Sequence, residues 1–351
     1  MRRAAYREAI DRAVCFLREA QLPHGEFKTM LGSNRTMSAV VFDSSPFTTS
    51  FVLYALSRLP AGSADDLIEK AATFLRREQE FGGVWRYWSK RQRKHFRLPP
   101  DLDDTACASF ALRAAGFEPP RNIWAFEQAR DGEGRFLTWL TPLGNAAHPV
   151  KLGFLRLISA VKERLARRRF AIDPAEDPRF KVTQIKLDDV DPVVNANAAL
   201  YLGQGPLTAP AIDYVCKLVE AGVPKEFSIY YQDPLFLFHA IARAHRHGVP
   251  KFGRLKEPIL RAVLDSADRG SRFESPLFAA VAASVLLTFE SQSPVLTAAL
   301  DQVCETQDAA GGWPICAFYN VWGAQELTTA FCLEALSQVL ATPGSASHLR
   351  S

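Results

Sequence analysis

The sequence predicts an all-helical fold, an α/α toroid of six helical hairpins in two concentric rings, on three observations. One short phrase recurs four times, six apolar segments rich in small residues each begin near an acidic residue, and an amphipathic segment precedes each of them. Such repetition marks helical hairpins that cannot bury their apolar faces alone and must stack or close into a ring.

The phrase is an apolar helix end, a glutamine, a glycine turn and an aromatic. It runs from Phe16 to Gln21 with Gly25 and Phe27, and from Phe74 to Gln79 with Gly82, Gly83 and Trp85. It returns from Phe126 to Gln128 with Gly132, Gly134 and Phe136, and from Val303 to Gln307 with Gly311, Gly312 and Trp313. Glycine supplies the left-handed backbone that ends a helix. The glutamine amide can bond peptide groups left free there, with the aromatic over the turn.

In chain order, amphipathic outer helices are expected over 4–20, 64–79, 120–129 or 150–168, 210–221, 254–268 and 294–306. The apolar inner helices begin at Asp43, Asp101, Asp189, Asp233, Glu274 and Glu326, where an acid suits a helix N-terminus through capping and the helix dipole. The whole of 1–343 is expected to form one domain, with 344–351 a disordered tail. In a toroid all inner helices start at one face, so these acids gather around one cavity mouth. Capping needs a single acid per helix. Asp101, Asp103 and Asp104 on the second inner helix, and Asp188, Asp189 and Asp191 on the third, exceed that need and mark the candidate site.

Of the 351 residues 48% are hydrophobic and 23% charged, the balance of a chain that buries a large core. The net charge of +4, without a basic tail, gives no reason to expect nucleic acid. Six scattered cysteines with no CxxC pair indicate neither a zinc knuckle nor a disulfide framework. The first residues lack the apolar core of a secretory signal, and no window reaches the ~18 apolar residues of a membrane span. A cytoplasmic protein is therefore expected. From Val150 to Arg169 a basic amphipathic pattern would suit peripheral contact with a membrane, but an outer-ring helix is the preferred reading.

The run Asp101-Leu102-Asp103-Asp104-Thr105-Ala106 resembles the Asp-x-Asp-Asp-Thr-Ala motif of class II terpene cyclases, the group of squalene-hopene cyclase and the copalyl-type diterpene cyclases. The glutamine-glycine-aromatic phrases resemble that group's QW motifs, and they span nearly the whole chain. The resemblance implies protonation-initiated cyclisation of a linear isoprenoid or prenyl diphosphate. It makes Asp103 the general acid, with Asp101 and Asp104 keeping it protonated and oriented. It implies no certain cofactor, with Mg2+ where the substrate carries a diphosphate. Elementary chemistry agrees: clustered carboxyls cannot all ionise, and a carbocation is held by aromatic faces.

Trp85, Tyr87, Phe236, Trp313, Tyr319 and Trp322, near the inner-helix starts, are candidates for such faces. Arg86 and Lys90 precede the acidic motif and suit an anionic head group. Asp43, Asp189 and Asp191 complete the substrate-binding candidates. Where members of the family often orient the acid with a histidine, the third inner helix has Asn195 and Asn197, amides that are costly inside an apolar helix unless bonded. They are read as orienting Asp103 or holding a water. The chain departs from the family's usual pairing of two helical domains, and it has no clear copy of the second acidic motif that holds magnesium-diphosphate in diterpene members.

Two other classes remain beside the cyclase: a carbohydrate-active enzyme with paired carboxylates, and a non-catalytic toroid that binds a ligand or partner. The first would show tryptophan platforms along an open groove, whereas a cyclase needs a closed pocket. A protein prenyltransferase would need a zinc set of Asp, Cys and His that no late inner helix provides. Asp101, Asp104, Asp189 and Asp191 offer an oxygen-ligand metal site as a further alternative.

Overall fold

In the computed structural model, which describes residues 2–140, 188–289 and 292–341, half-buried helices alternate along the chain with helices buried almost all round. The half-buried set is α1 (Arg2–Ala20), α3 (Asp65–Glu78), α5 (Ile123–Gln128), α7 (Ala209–Glu220), α9 (Lys256–Asp265) and α11 (Pro294–Glu305). The buried set is α2 (Pro46–Leu56), α4 (Leu102–Ala114), α6 (Pro192–Leu202), α8 (Pro234–Arg246), α10 (Pro276–Thr288) and α12 (Gln325–Ala341).

Sequence accounts for each type. In α3, Leu67, Ala71, Phe74 and Leu75 fall on one face, with Asp65 and Asp66 in the first turn and Arg76 and Arg77 in the last, matching the helix dipole. In α10, Pro276 to Leu286 are buried without interruption, and the many alanines let neighbouring helices approach from every side. Proline opens α2, α6, α8 and α10, where its missing N–H leaves no hydrogen bond unmade.

The inner ring closes. Helix α2 packs on α4, α4 on α6, α6 on α8, α8 on α10, α10 on α12, and α12 returns to α2. The third outer place is taken by α5, inside the expected 120–129. The other candidate for that place, 150–168, the basic pattern of Val150 to Arg169 and the tail at 344–351 lie outside the described residues.

The recurring phrase is the joint between hairpins. Gln21 donates to Gly25 O at 3.2 Å and to Leu67 O of the next outer helix at 3.1 Å. At the far end of the chain Gln307 donates to Gly311 O and to Ala9 O, both at 2.8 Å, so the same device fastens the last hairpin to α1. Gly25 and Gly311 have φ +98° and +91°, and a Cβ there would stand 2.1 Å from Lys70 O and 2.4 Å from Arg12 O. Trp85 and Trp313 bond back to Leu75 O and Val303 O through their indole N–H at 2.9 and 2.6 Å. The third copy differs: both amide atoms of Gln128 are buried without a hydrogen-bond partner.

The structure adds a small sheet that the helical periodicity did not predict. Strands β1 (Met30–Gly32), β2 (Val40–Phe42), β3 (Cys316–Tyr319) and β4 (Trp322–Ala324) form an antiparallel sheet in the order β2-β1-β4-β3. It joins the loop of the first hairpin to that of the last. Strands of three or four residues are too short to show an alternating pattern. Among the described residues no helix is long and apolar enough to cross a membrane.

Candidate active site

The starts of the inner helices do meet at one mouth, but the caps are not all the expected acids. Ser45 caps α2, accepting from Phe47 N at 3.2 Å, and Ser275, beside Glu274, caps α10. Asp101 caps α4 by accepting from Asp104 N at 2.7 Å, and Asp233 caps α8 through Leu235 N at 2.8 Å. On α6 the cap is Asp191, which accepts from Val193 N and Val194 N, and Asp189 instead accepts from Thr138 Oγ1 at 2.7 Å. Glu326 lies in the first turn of α12.

Asp103, 7% exposed, projects from the first turn of α4. Its Oδ1 accepts from Asn197 Nδ2 of α6 at 2.8 Å, and its Oδ2 accepts from the hydroxyl of Tyr231, which stands just ahead of α8. The start of α4, the middle of α6 and the loop ahead of α8 therefore converge on one carboxyl. Burial pushes Asp103 above the ordinary carboxylate value, opposed by the hydrogen bonds from Tyr231 and Asn197 and by the charge of Arg243. Burial also pushes Asp101 up to about 7. Asp104 is raised well above the usual range by burial and then by Asp101, and its Oδ1 has no hydrogen-bond partner. Helix N-termini favour negative charge, yet here removal from water outweighs that preference and raises all three carboxyls.

The three carboxyls border a small cavity of about 20 Å3, room for about one water, lined also by Phe47, Tyr87, Trp139, Val194, Tyr230 and Tyr319. Tyr319 is stacked between Tyr87 and Tyr230, with centroids 5.6 and 5.7 Å away and planes at 21° and 6°. Trp139 donates to the Tyr230 hydroxyl at 2.9 Å and so fixes one end of the stack. Such a box combines proton donors with π faces and has no strong nucleophile on its aromatic side.

Of the residues singled out from sequence, Asp101, Asp103, Asp104, Tyr87 and Tyr319 line the chamber, and Asn197 reaches Asp103. Trp322 supports the wall from behind, 5.7 Å from both Tyr87 and Tyr319. Phe236 lies against Phe318 at 4.7 Å and Phe278 at 5.4 Å, beside the chamber rather than lining it.

The others take different places. Asn195 is bonded to Phe136 N and O and to Asp191 O, tying α6 to the preceding loop, so it does not orient Asp103. Trp85 and Trp313 sit in the hairpin joints. Arg86 is buried, donates to Leu98 O and lies over the Phe96 ring, while Lys90 Nζ bonds Arg77 O and Gln79 O at the end of α3. Neither faces the chamber, because carbonyls left free by a helix end and a loop attract these cations first. Asp43, 2% exposed, accepts from the indoles of Trp88 and Trp322 at 3.1 and 2.8 Å and pairs with Lys94 at 2.6 Å. It is a pin for the wall. Asp191 is likewise held by its cap bonds and Ser228. Among the described residues no three His, Cys, Asp or Glu side chains are placed to hold a metal ion, so Asp101, Asp104, Asp189 and Asp191 do not form the oxygen site considered from sequence.

Sequence reasoning missed Tyr230, Tyr231, Thr138 and Trp139. A signal existed: Tyr230 and Tyr231 immediately precede the acid that starts α8, the placement that singled out Tyr87 ahead of α4.

No family model and no curated protein matches the chain. Solved structures do. The type II terpene cyclase MstE from Scytonema, in a variant bound to geranylgeranyl dihydroxybenzoate, is similar with a TM-score of 0.66 at 15% identity, over 96% of this chain and 98% of that one. The ent-copalyl diphosphate synthase of Streptomyces platensis is similar at 0.55 and 14% identity, over 84% of this chain and 50% of that one. An unsaturated glucuronyl hydrolase specific for heparin is similar at 0.56 and 12% identity, over 95% of this chain and 96% of that one. The protein thus has an α/α toroid, a fold it shares with these enzymes.

Proposed function

We propose that the protein is a class II terpene cyclase of a single toroid, with Asp103 as general acid and a linear isoprenoid chain as substrate. One observation carries this reading: Asp103 is a buried carboxyl among aromatic rings, and both of its oxygens are braced by donors, one from α6 and one from the loop ahead of α8. The similarity to MstE along nearly its whole length supports it, since that chain too is matched by one toroid.

The chemistry follows from the geometry. Burial raises the pKa of Asp103 and so favours its protonated form. When a substrate double bond lies against it, the π electrons take the proton and leave a carbocation, while the carboxylate left behind is stabilised by Asn197 and Tyr231. Asp101 and Asp104 limit the loss of that proton to solvent by keeping the local charge low. The Tyr87, Tyr319, Tyr230 and Trp139 rings face the cation, which ends by losing a proton to a base or by taking up water. The glucuronyl hydrolase shares the fold, but sugar hydrolysis needs an open groove with room for a water between carboxylates. Buried carboxyls set against stacked tyrosines favour the cyclase.

The test is to incubate the protein with C10 to C30 isoprenoid alcohols, diphosphates and aryl-prenyl compounds, with and without magnesium, and to analyse extracts by gas chromatography and mass spectrometry. A cyclic product made by the unmutated protein and not by Asp103→Asn is the expected result. A product made equally by both would remove Asp103 from the mechanism.

A further inference from the structure

The opposite end of the ring holds a second site that the cyclase reading does not use. Between the C-terminal ends of α2, α4, α6 and α8 lies a solvent-open hollow of about 350 Å3, lined by Tyr54, Ser57, Arg58, Phe110, Arg113 and His247 among others. Below it Arg243, 3% exposed, lies over the rings of Tyr54 at 4.3 Å, Phe51 at 5.1 Å and Phe110 at 5.5 Å.

The charges here do not balance. Arg246 pairs with Glu334 at 2.5 Å, and His239 approaches the other oxygen of that carboxylate at 3.2 Å. Arg58, Arg113 and Arg243 have no carboxylate partner among the described residues. Arg113 reaches only Leu200 O at 3.4 Å, and the Arg243 Nε is buried without an acceptor. Aromatic faces attract a guanidinium but do not accept its N–H bonds, so the buried Arg243 is left with an unsatisfied Nε–H. The field is measurable in a neighbour. His247, whose Nε2 lies 2.9 Å from the Tyr54 hydroxyl, is pushed down to about 4 by burial and then by Arg246, Arg243 and Arg58, against Glu334 alone.

Helix C-termini carry partial negative charge, and one cation at each would answer the dipole. Arg58 and Arg113 do stand at the ends of α2 and α4, but a dipole gives no reason for a further guanidinium buried beneath them without an acceptor. We propose that this hollow is a binding site for a compact, multiply charged phosphate oxyanion, taken between the exposed arms of Arg58 and Arg113, with the charge of Arg243 behind the Tyr54 and Phe110 rings. Guanidinium forks match phosphate oxygens two at a time, and two forks backed by a third, buried positive charge suit a diphosphate better than a single negative charge. The site stands apart from the acid chamber and does not depend on the cyclase reading.

The test uses the whole protein in phosphate-free buffer. Inorganic pyrophosphate is titrated in by calorimetry, and the His247 ring is followed by NMR across pH. The expected result is one-to-one binding and a rise of the His247 pKa from about 4 toward its ordinary value, because an added anion offsets the guanidinium charge. The Arg58→Gln, Arg113→Gln double variant should bind at least tenfold more weakly. Farnesyl diphosphate in a parallel titration separates two sources of the same chemistry. Equal affinity and an equal His247 shift identify a free anion, while at least tenfold tighter binding with the same shift identifies a prenyl head group. Absence of both heat and a His247 shift overturns the site, as does undiminished binding by the double variant. The His247 readout needs no variant, so it decides the matter even where the double substitution disturbs folding.

Discussion

The two ends of the inner ring are built from the same helices and hold charge in opposite ways. At the N-terminal end, three carboxyls on one turn of α4 are buried together, with Asp101 raised to about 7 and Asp104 well above the usual range. At the C-terminal end, guanidiniums outnumber carboxylates and His247 gives up its proton at about 4. Helix dipoles would place deprotonated acids at the first end and charged bases at the second. Burial reverses the first expectation and deprotonates His247 at the second. What distinguishes the ends is access to water: the acids face buried aromatic rings and the arginines an open hollow.

The substitution expected to break the acid end most severely is Asp103→Asn. An amide has no proton acidic enough for an alkene, so turnover of whichever isoprenoid the screen identifies should fall about 10^3-fold. The melting temperature should stay level or rise, since a buried ionisable group is removed. A fall of less than tenfold would mean that protonation comes from elsewhere.

The next effect is on stability against pH. Asp101 and Asp191 are each raised by burial from 3.8 to about 7. For a carboxyl raised in the folded state, the favourable contribution is full below about 4, where both states are protonated. It is lost as pH climbs toward 7, because the unfolded chain ionises first. Each shift corresponds to roughly 4 kcal/mol at most. The melting temperature should therefore decline between pH 5 and pH 8, and Asp191→Asn, which preserves the cap, should flatten the decline. His247, lowered to about 4, acts in the opposite sense below pH 6.5, so the variant carries the test: an Asp191→Asn curve parallel to that of the unmutated protein would show that Asp191 is ionised in the folded protein.

Turn packing sharpens the contrast further. Turns on the chamber side are pressed against their neighbours: a Cβ at Gly311 would meet Arg12 O at 2.4 Å, on top of a φ of +91°. On the hollow side, Gly116 has φ +84° with nothing within 4 Å. Gly311→Ala should cost about 3 kcal/mol and Gly116→Ala about 1 kcal/mol, read by urea denaturation. Equal costs would mean that the ring joints carry no special load.

The same asymmetry explains what could be read from the sequence. Fold was legible because the joints are local: Gln21 and Gly25, and Gln307 and Gly311, lie four residues apart, and the inner helices announce themselves by unbroken apolar runs. The acidic motif was legible for the same reason. Residues whose role depends on a partner far along the chain were not. Asn195 and Asn197 look alike in sequence, yet one ties backbone at Phe136 and the other reaches Asp103, a difference set by which face of α6 each occupies. Arg86 and Lys90 looked like ligands for an anion because nothing local revealed the carbonyls that would hold them. Arg243 was invisible as a functional candidate, since only ring closure brings Phe51, Tyr54 and Phe110 around it.

The smallest effect expected is also the most specific. Tyr231→Phe removes one donor from the Asp103 carboxylate and leaves the ring in place. Because that bond favours the ionised form, its loss raises the Asp103 pKa further and makes it a weaker acid. Turnover should fall about tenfold, and the alkaline limb of the pH profile, where activity fails as the acid loses its proton, should move to higher pH. A simple packing role for Tyr231 would lower turnover without moving that limb. A limb that moved to lower pH would mean that the hydroxyl accepts a proton from Asp103 rather than bracing its charge, and the acid end would then work as a proton relay.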